Sequence, residues 1–122
     1  MIKHITFASL YVKDQEVMRR FLVDVLGFTT ETDSEWRPGA RWLEMGIPGA
    51  RTRLAVHKAA DFEREADTAY PVWFTADDLD ATLKAVRAAG GTASDVVNDP
   101  HVSYITVTDP EGRAVNIGKS DD

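Results

Sequence analysis

The sequence predicts an α+β fold made of two βαβββ modules. A strand pattern, a helix pattern and three more strand patterns follow one another twice along the chain. A polar stretch at residues 58–69 separates the two copies. Half of 122 residues is too short for a stable core of its own, so the modules must share one core, with each other or across a dimer. We therefore predict a single domain over 1–122, with module 1 at about 1–58, a linker at about 59–69 and module 2 at about 70–122.

The first module begins with residues 2–12, which are rich in β-branched and aromatic residues and predict a strand. Asp14 is a suitable helix N-cap, apolar residues then recur at helical spacing, and Gly27 ends the helix. Three further strands are predicted, separated by Pro-Gly turns; they lie at residues 28–33, 41–46 and 52–57.

The second module repeats this order. Residues 70–75 predict a strand, Asp77 or Asp78 caps a helix, and Gly90-Gly91 ends it. The three strands that follow are predicted at residues 92–98, 102–108 and 113–118. The segment 109–112, Asp-Pro-Glu-Gly, is a strong turn signal between the last two.

Composition narrows the classes of function. With 14 basic and 20 acidic residues the net charge is −6, which disfavours nucleic acid as a partner. No apolar run is long enough to span a bilayer, so no membrane association is expected. The absence of cysteine excludes disulfides, thiolate metal sites and cysteine nucleophiles, and fits a cytoplasmic protein.

Three segments resemble signatures of the vicinal oxygen chelate superfamily, which includes glyoxalase I, bleomycin- and fosfomycin-resistance proteins and extradiol dioxygenases. They are FLVDVLGF at 21–28, ADDLDA at 76–81 and DPEGR at 109–113. The resemblance covers nearly the whole chain. It implies that the two modules curl their sheets into a U-shaped cleft, and that metal-dependent members hold one divalent ion there for Lewis-acid chemistry.

The positions that this resemblance assigns to metal ligands fall on Phe7, Ala55, Pro71 and Asn116. The first three carry no ligand atom, and an amide oxygen alone holds a divalent ion weakly. We therefore expect no cofactor, and a small-molecule binding protein of the bleomycin-resistance type, usually a homodimer, with antibiotic resistance as one role. The alternative is a divalent-metal lyase, isomerase or dioxygenase with an atypical ligand set from His57, Glu44 and His4. A metal-free enzyme with His57 or Glu44 as its base is a third interpretation.

Strand alternation selects the residues expected to contact the ligand. Six side chains are predicted to face the cleft: Phe7, Tyr11, Trp42, Trp73, Tyr104 and Asn116. The alternative for Phe7 and Tyr11 is that they fill core space, and for Asn116 that it is a satisfied core amide. For Glu44 the alternative is an ion pair with Arg53. Trp36 is assigned to a loop, as a cleft lid, a dimer contact or a packing residue.

Overall fold

The computed structural model describes residues 1–120. The chain forms two compact units, Met1–Pro71 and the residues from Val72 onward, and each is described by itself. No helix within the described residues is long and apolar enough to cross a membrane.

The first unit is a four-stranded mixed sheet with one α-helix. Its elements are β1 (Phe7–Val12), α1 (Gln15–Asp24), β2 (Thr29–Arg37), β3 (Ala40–Gly46), β4 (Arg53–Lys58) and a 3₁₀ helix (Ala59–Phe62). The strand order is β1-β4-β3-β2, with β1 parallel to β4 and the other pairs antiparallel. The Asp14 carboxylate accepts from the Glu16 and Val17 amides and so caps α1, as predicted.

The two faces of this sheet carry different side chains. One face is aliphatic and fully or almost fully buried, with Leu10, Val12, Leu43, Met45, Leu54 and Val56. Met18 and Leu22 of α1 are also fully buried. Gln15 ties the helix to the sheet, because its Nε2 donates to the carbonyl oxygens of Arg41 and Val56, both at 2.9 Å. The opposite face is left to aromatic and polar side chains.

The second unit is a five-stranded mixed sheet with one α-helix. Its elements are β5 (Phe74–Ala76), α2 (Leu79–Ala88), β6 (Thr92–Ala93), β7 (Val97–Asn98), β8 (Ser103–Thr108) and β9 (Ala114–Lys119). The order is β5-β9-β8-β6, β7 also pairs with β8, and β5 runs parallel to β9. The α+β class and the order of the elements are confirmed.

Several predicted boundaries are wrong. The first strand starts at Phe7 and not at residue 2, and the strand predicted at 70–75 is confined to Phe74–Ala76. The strand predicted at 92–98 is two short pieces, because the Ser94 hydroxyl accepts from the Thr106 amide in place of a backbone carbonyl. The sequence places Trp36 in a loop, but the residue lies in β2.

Candidate ligand-binding site

An aromatic cluster covers the non-helical face of the first sheet. Its members come from all four strands and the 3₁₀ helix: Phe7, Tyr11, Trp36, Trp42, His57 and Phe62. Alternation along β1, β3 and β4 places Phe7, Tyr11, Trp42 and His57 opposite the aliphatic face. Trp36 joins them at a register shift between Glu35 and Arg37, and such a bulge turns a side chain to a new direction.

His57 lies at the centre of the aromatic cluster. Its ring centroid is 4.9 Å from those of Tyr11 and Trp42 and 5.2 Å from that of Phe62. Phe7 meets Trp42 edge-on at 5.8 Å. The outer rings remain partly accessible, with Trp36 44% and Phe62 36% exposed. The cluster therefore presents ring faces and edges to a binding partner.

The imidazole of His57 is almost completely buried, at 3% exposed. Its Nε2 lies 3.1 Å from Ser9 Oγ, while Nδ1 is buried with no hydrogen-bond partner. Burial lowers the pKa of His57; the Arg64 charge lowers it further and the Glu44 charge opposes the shift. His57 is consequently a neutral hydrogen-bonding group near neutral pH.

Glu44 shares the face of Trp42 but is already engaged. Its carboxylate accepts from Trp42 Nε1 at 2.7 Å and pairs with Arg53 Nη1 at 3.2 Å. The ion pair with Arg53 is the alternative that the sequence suggested for this residue. These contacts fix the Trp42 indole and neutralise the carboxylate.

The segment 59–67, which follows strand β4 and forms most of the polar stretch 58–69, packs across one side of the aromatic cluster. Phe62 meets Tyr11 edge-on at 5.4 Å and stacks on Trp36 at 5.5 Å with 12° between the planes. Arg64 lies over the Tyr11 ring at 3.8 Å and pairs with Asp67 at 2.8 Å. The backbones of Tyr11 and Asp67 are joined by a bond from the Asp67 amide to the Tyr11 carbonyl, and the Asp67 carboxylate accepts from the Tyr11 amide.

The side chains at the positions that the family uses for metal do not fit a divalent ion. Phe7 and Ala55 lie on the cluster face without a ligand atom. Of the alternative donors, His57 and Glu44 occur together, but His4 lies in the exposed stretch before β1. Within residues 1–120, no group of three or more His, Cys, Asp or Glu side chains is arranged to hold a metal ion. The aromatic cluster therefore offers a divalent ion too few donors to bind it as the family does.

The remaining predicted residues lie in the second unit. Trp73, 52% exposed, meets Tyr104 edge-on at 5.2 Å. Asn116 accepts from the Thr106 hydroxyl at 2.9 Å, on the neighbouring strand β8. Pro71 lies outside β5, at the end of the first unit. The structure thus groups Phe7, Tyr11 and Trp42 in one unit and Trp73, Tyr104 and Asn116 in the other.

Phe62 and Arg64 were not predicted as site residues. The sequence predicts only a polar linker there, at about 59–69. One signal was available: Phe62 is the only aromatic residue in that polar stretch. A single large apolar side chain in a charged segment indicates that the segment packs against another part of the protein.

Fold and sequence together identify the class. The chain belongs to the Glyoxalase/Bleomycin resistance protein/Dioxygenase superfamily, whose family model matches residues 1–117.

The chain is also similar to three individual proteins. It is 30% identical over 90 residues to an uncharacterized protein, YetH, of Bacillus subtilis (strain 168), covering 74% of this chain and 75% of that one. It is similar in structure to TnmS3, an antibiotic binding protein from Streptomyces sp. CB03234, with a TM-score of 0.85, 25% identity and 98% of each chain covered. A superfamily member from Sphaerobacter thermophilus DSM 20745 gives a TM-score of 0.88 at 24% identity, again over 98% of each chain.

Proposed function

We propose that this protein binds a small organic molecule reversibly on the aromatic cluster, without a metal ion and without breaking a bond. The observation that carries the proposal is the concentration of five rings on one sheet face with a sixth, Phe62, packed on them, the outer ones being partly exposed. Ring faces of this kind hold flat apolar groups by dispersion and stacking. The polar groups among them, Ser9 and His57, orient a ligand by hydrogen bonds.

The side chains favour binding over metal catalysis. Metal-dependent chemistry needs several N or O donors converging on one point. Here the two donors on this sheet face are Glu44, which is committed to Trp42 and Arg53, and His57, which is buried. The similarity to an antibiotic binding protein supports the same interpretation, and it makes sequestration of a toxic small molecule the biological role that we propose.

The experiment is a titration with 2-naphthol, a flat ring with one hydroxyl. Calorimetry gives the affinity, and the indole N–H signals in ¹H–¹⁵N NMR report which tryptophan responds. Decahydro-2-naphthol is the matched control ligand, since it keeps the size and the hydroxyl but has no ring face. We expect 2-naphthol to bind at least about tenfold more tightly, because stacking on an aromatic side chain contributes about 1–3 kcal/mol.

Two variants locate the site. Trp36→Leu removes one exposed ring of the cluster, and we expect about tenfold weaker binding of 2-naphthol. Ile47→Ala is the control, since Ile47 is similarly exposed in the same unit but lies outside the cluster. Equal affinity for the two naphthols, or equal loss in both variants, would refute the proposed function. Trp73→Ala tests the prediction that Trp73, Tyr104 and Asn116 also contact the ligand.

The homodimer and the cytoplasmic location stay predictions from the sequence. Light scattering of the purified protein measures its mass in solution against the 13.5 kDa of one chain.

A further inference from the structure

We propose that Phe62 occupies the position that a ring of the ligand takes when it binds, so that the segment 59–67 must open before the site is complete. This inference rests on the proposed function. It adds that the segment opens before the ligand is fully bound, and it names the ligand class as a flat ring with a polar group at its edge.

The pair of Phe62 with Trp36 differs in geometry from the ring contacts around Trp42. The contacts of Trp42 with Phe7, Trp36 and His57 are edge contacts, with interplanar angles of 61–79°. Phe62 instead lies nearly parallel to Trp36, at 5.5 Å and 12°. A face-to-face pair on an exposed indole is the arrangement that a flat ligand adopts there. Phe62 therefore covers the ring face most suited to binding.

The segment that carries Phe62 is held by the ring contacts of Phe62 itself and by polar contacts at its surface. Of its 3₁₀ helix only Ala59 is buried. Apart from the rings, the anchors are polar: Arg37 Nη2 donates to the Asp61 carbonyl, and the Asp67 carboxylate accepts from Arg64 and from the Tyr11 amide. Exchange of such bonds with water costs little, so a segment of this kind opens more readily than a buried strand.

The backbone of the segment is itself strained. Glu63 has φ 53° and ψ 45°, and it is the one residue other than glycine with a positive φ in the described part of the chain. A long side chain in this left-handed region raises the free energy of the closed segment. The strain ends when the segment opens, which favours the exchange of Phe62 for a ligand.

The polar part of the ligand class follows from His57. Phe62 is one of three rings packed on this imidazole, so its departure opens one side of a group whose Nδ1 has no partner. A hydroxyl at the edge of a flat ligand suits Nδ1 in either tautomer, because it both donates and accepts. Pairing Nδ1 recovers the free energy lost by burying it alone.

The test compares Phe62→Ala with Phe62→Tyr in the 2-naphthol titration. If Phe62 blocks the site, Phe62→Ala binds about three- to tenfold more tightly than the wild type and associates faster, while Phe62→Tyr behaves as the wild type. Glu63→Asn gives the opposite change, because asparagine tolerates the left-handed region and stabilises the closed segment. Weaker binding by Phe62→Ala than by Phe62→Tyr overturns the inference while the proposed function stands.

A structural readout separates the two proposals further. The amide signals of residues 59–67 are expected to shift when wild-type protein binds 2-naphthol, together with the Trp36 indole signal. A shift of the indole signal alone means that the ligand stacks beside Phe62, and the inference is wrong. If no variant binds, Phe62→Ala included, the proposed function falls and this inference with it.

For the polar group, His57→Phe is titrated with 2-naphthol and 2-methoxynaphthalene in the Phe62→Ala background. We expect the preference for the hydroxyl compound to disappear with the imidazole. An unchanged preference would assign the hydroxyl to another partner and overturn the role of His57.

Discussion

Replacing Asp109 by Ala tests the turn that carries the DPEGR segment at 109–113. Asp109 and Arg113 are both 4% exposed, and their side chains pair at 3.0 Å. Asp109 Oδ1 also accepts from the backbone amides of Glu111 and Arg113, at 2.9 and 2.8 Å. The carboxylate therefore closes the loop between β8 and β9 and neutralises a buried guanidinium.

The magnitude follows from what the substitution leaves behind. Removing one partner of a buried ion pair costs about 3–5 kcal/mol, because the other charge stays buried. Glu111 still pairs with Arg113 at 2.8 Å, which places the expected loss near the lower limit, at about 3 kcal/mol. With a urea dependence of about 2 kcal/mol per molar, the unfolding midpoint falls by about 1.5 M.

Urea unfolding followed by circular dichroism measures this shift, with the wild type as reference. The double variant Asp109→Ala/Arg113→Met is the control, since it removes both charges and we expect it to be more stable than Asp109→Ala alone. A midpoint shift below about 0.5 M for Asp109→Ala, or a double variant less stable than the single one, would refute the reasoning.

Three predictions concern the first unit. Gln15→Glu is expected to lower the free energy of unfolding, measured in urea, by at least about 2 kcal/mol more than Gln15→Met, because a carboxylate would face the two carbonyl oxygens to which Gln15 now donates. Equal losses in the two variants would contradict this. The free energy of unfolding is expected to fall as the pH drops below 6.5, because burial lowers the pKa of His57 in the folded state and the unfolded chain takes up the proton first. If the His57→Gln variant loses stability with falling pH as steeply as the wild type, the explanation is wrong. Glu16→Gln is expected to lower the free energy of unfolding by less than about 1 kcal/mol, because the partly exposed Glu16 carboxylate forms only surface ion pairs with Arg19, Arg20 and Arg41. About 1 M salt should remove the difference, and a loss that persists in salt would contradict the prediction.

Local signals predicted the element order well. The caps Asp14 and Asp78 accept from amides in the first turns of their helices. Gly27 has φ 76° after α1, as a C-terminal glycine does. These features depend on residues a few positions apart, so they are readable without knowledge of the fold.

Boundaries that depend on distant partners were not readable. Residues 2–6 have the composition of a strand, but β4 supplies a partner only from Arg53 onward, opposite Phe7. Trp36 reached the aromatic cluster through a register shift in β2, which alternation does not reveal.

The candidate site was predicted in part for the same reason. The face shared by Phe7, Ser9 and Tyr11 followed from alternation. Alternation did not predict the position of Phe62, because that position depends on how a polar stretch folds back on Tyr11 and Trp36.

The parallel pairing of β1 with β4 has a consequence for how the first unit folds. Phe7 pairs with Arg53 only when two segments that are far apart in the sequence come together, whereas β2 and β3 are joined by a short turn at Gly39. Closing a long loop costs conformational entropy before the contacts between its ends stabilise the structure. The β2–β3 hairpin is therefore expected to form first, and the addition of β1 to limit the folding rate. Two aromatic side chains that build the site, Phe7 and Tyr11, enter at that late step, so the site is among the last parts of the unit to assemble.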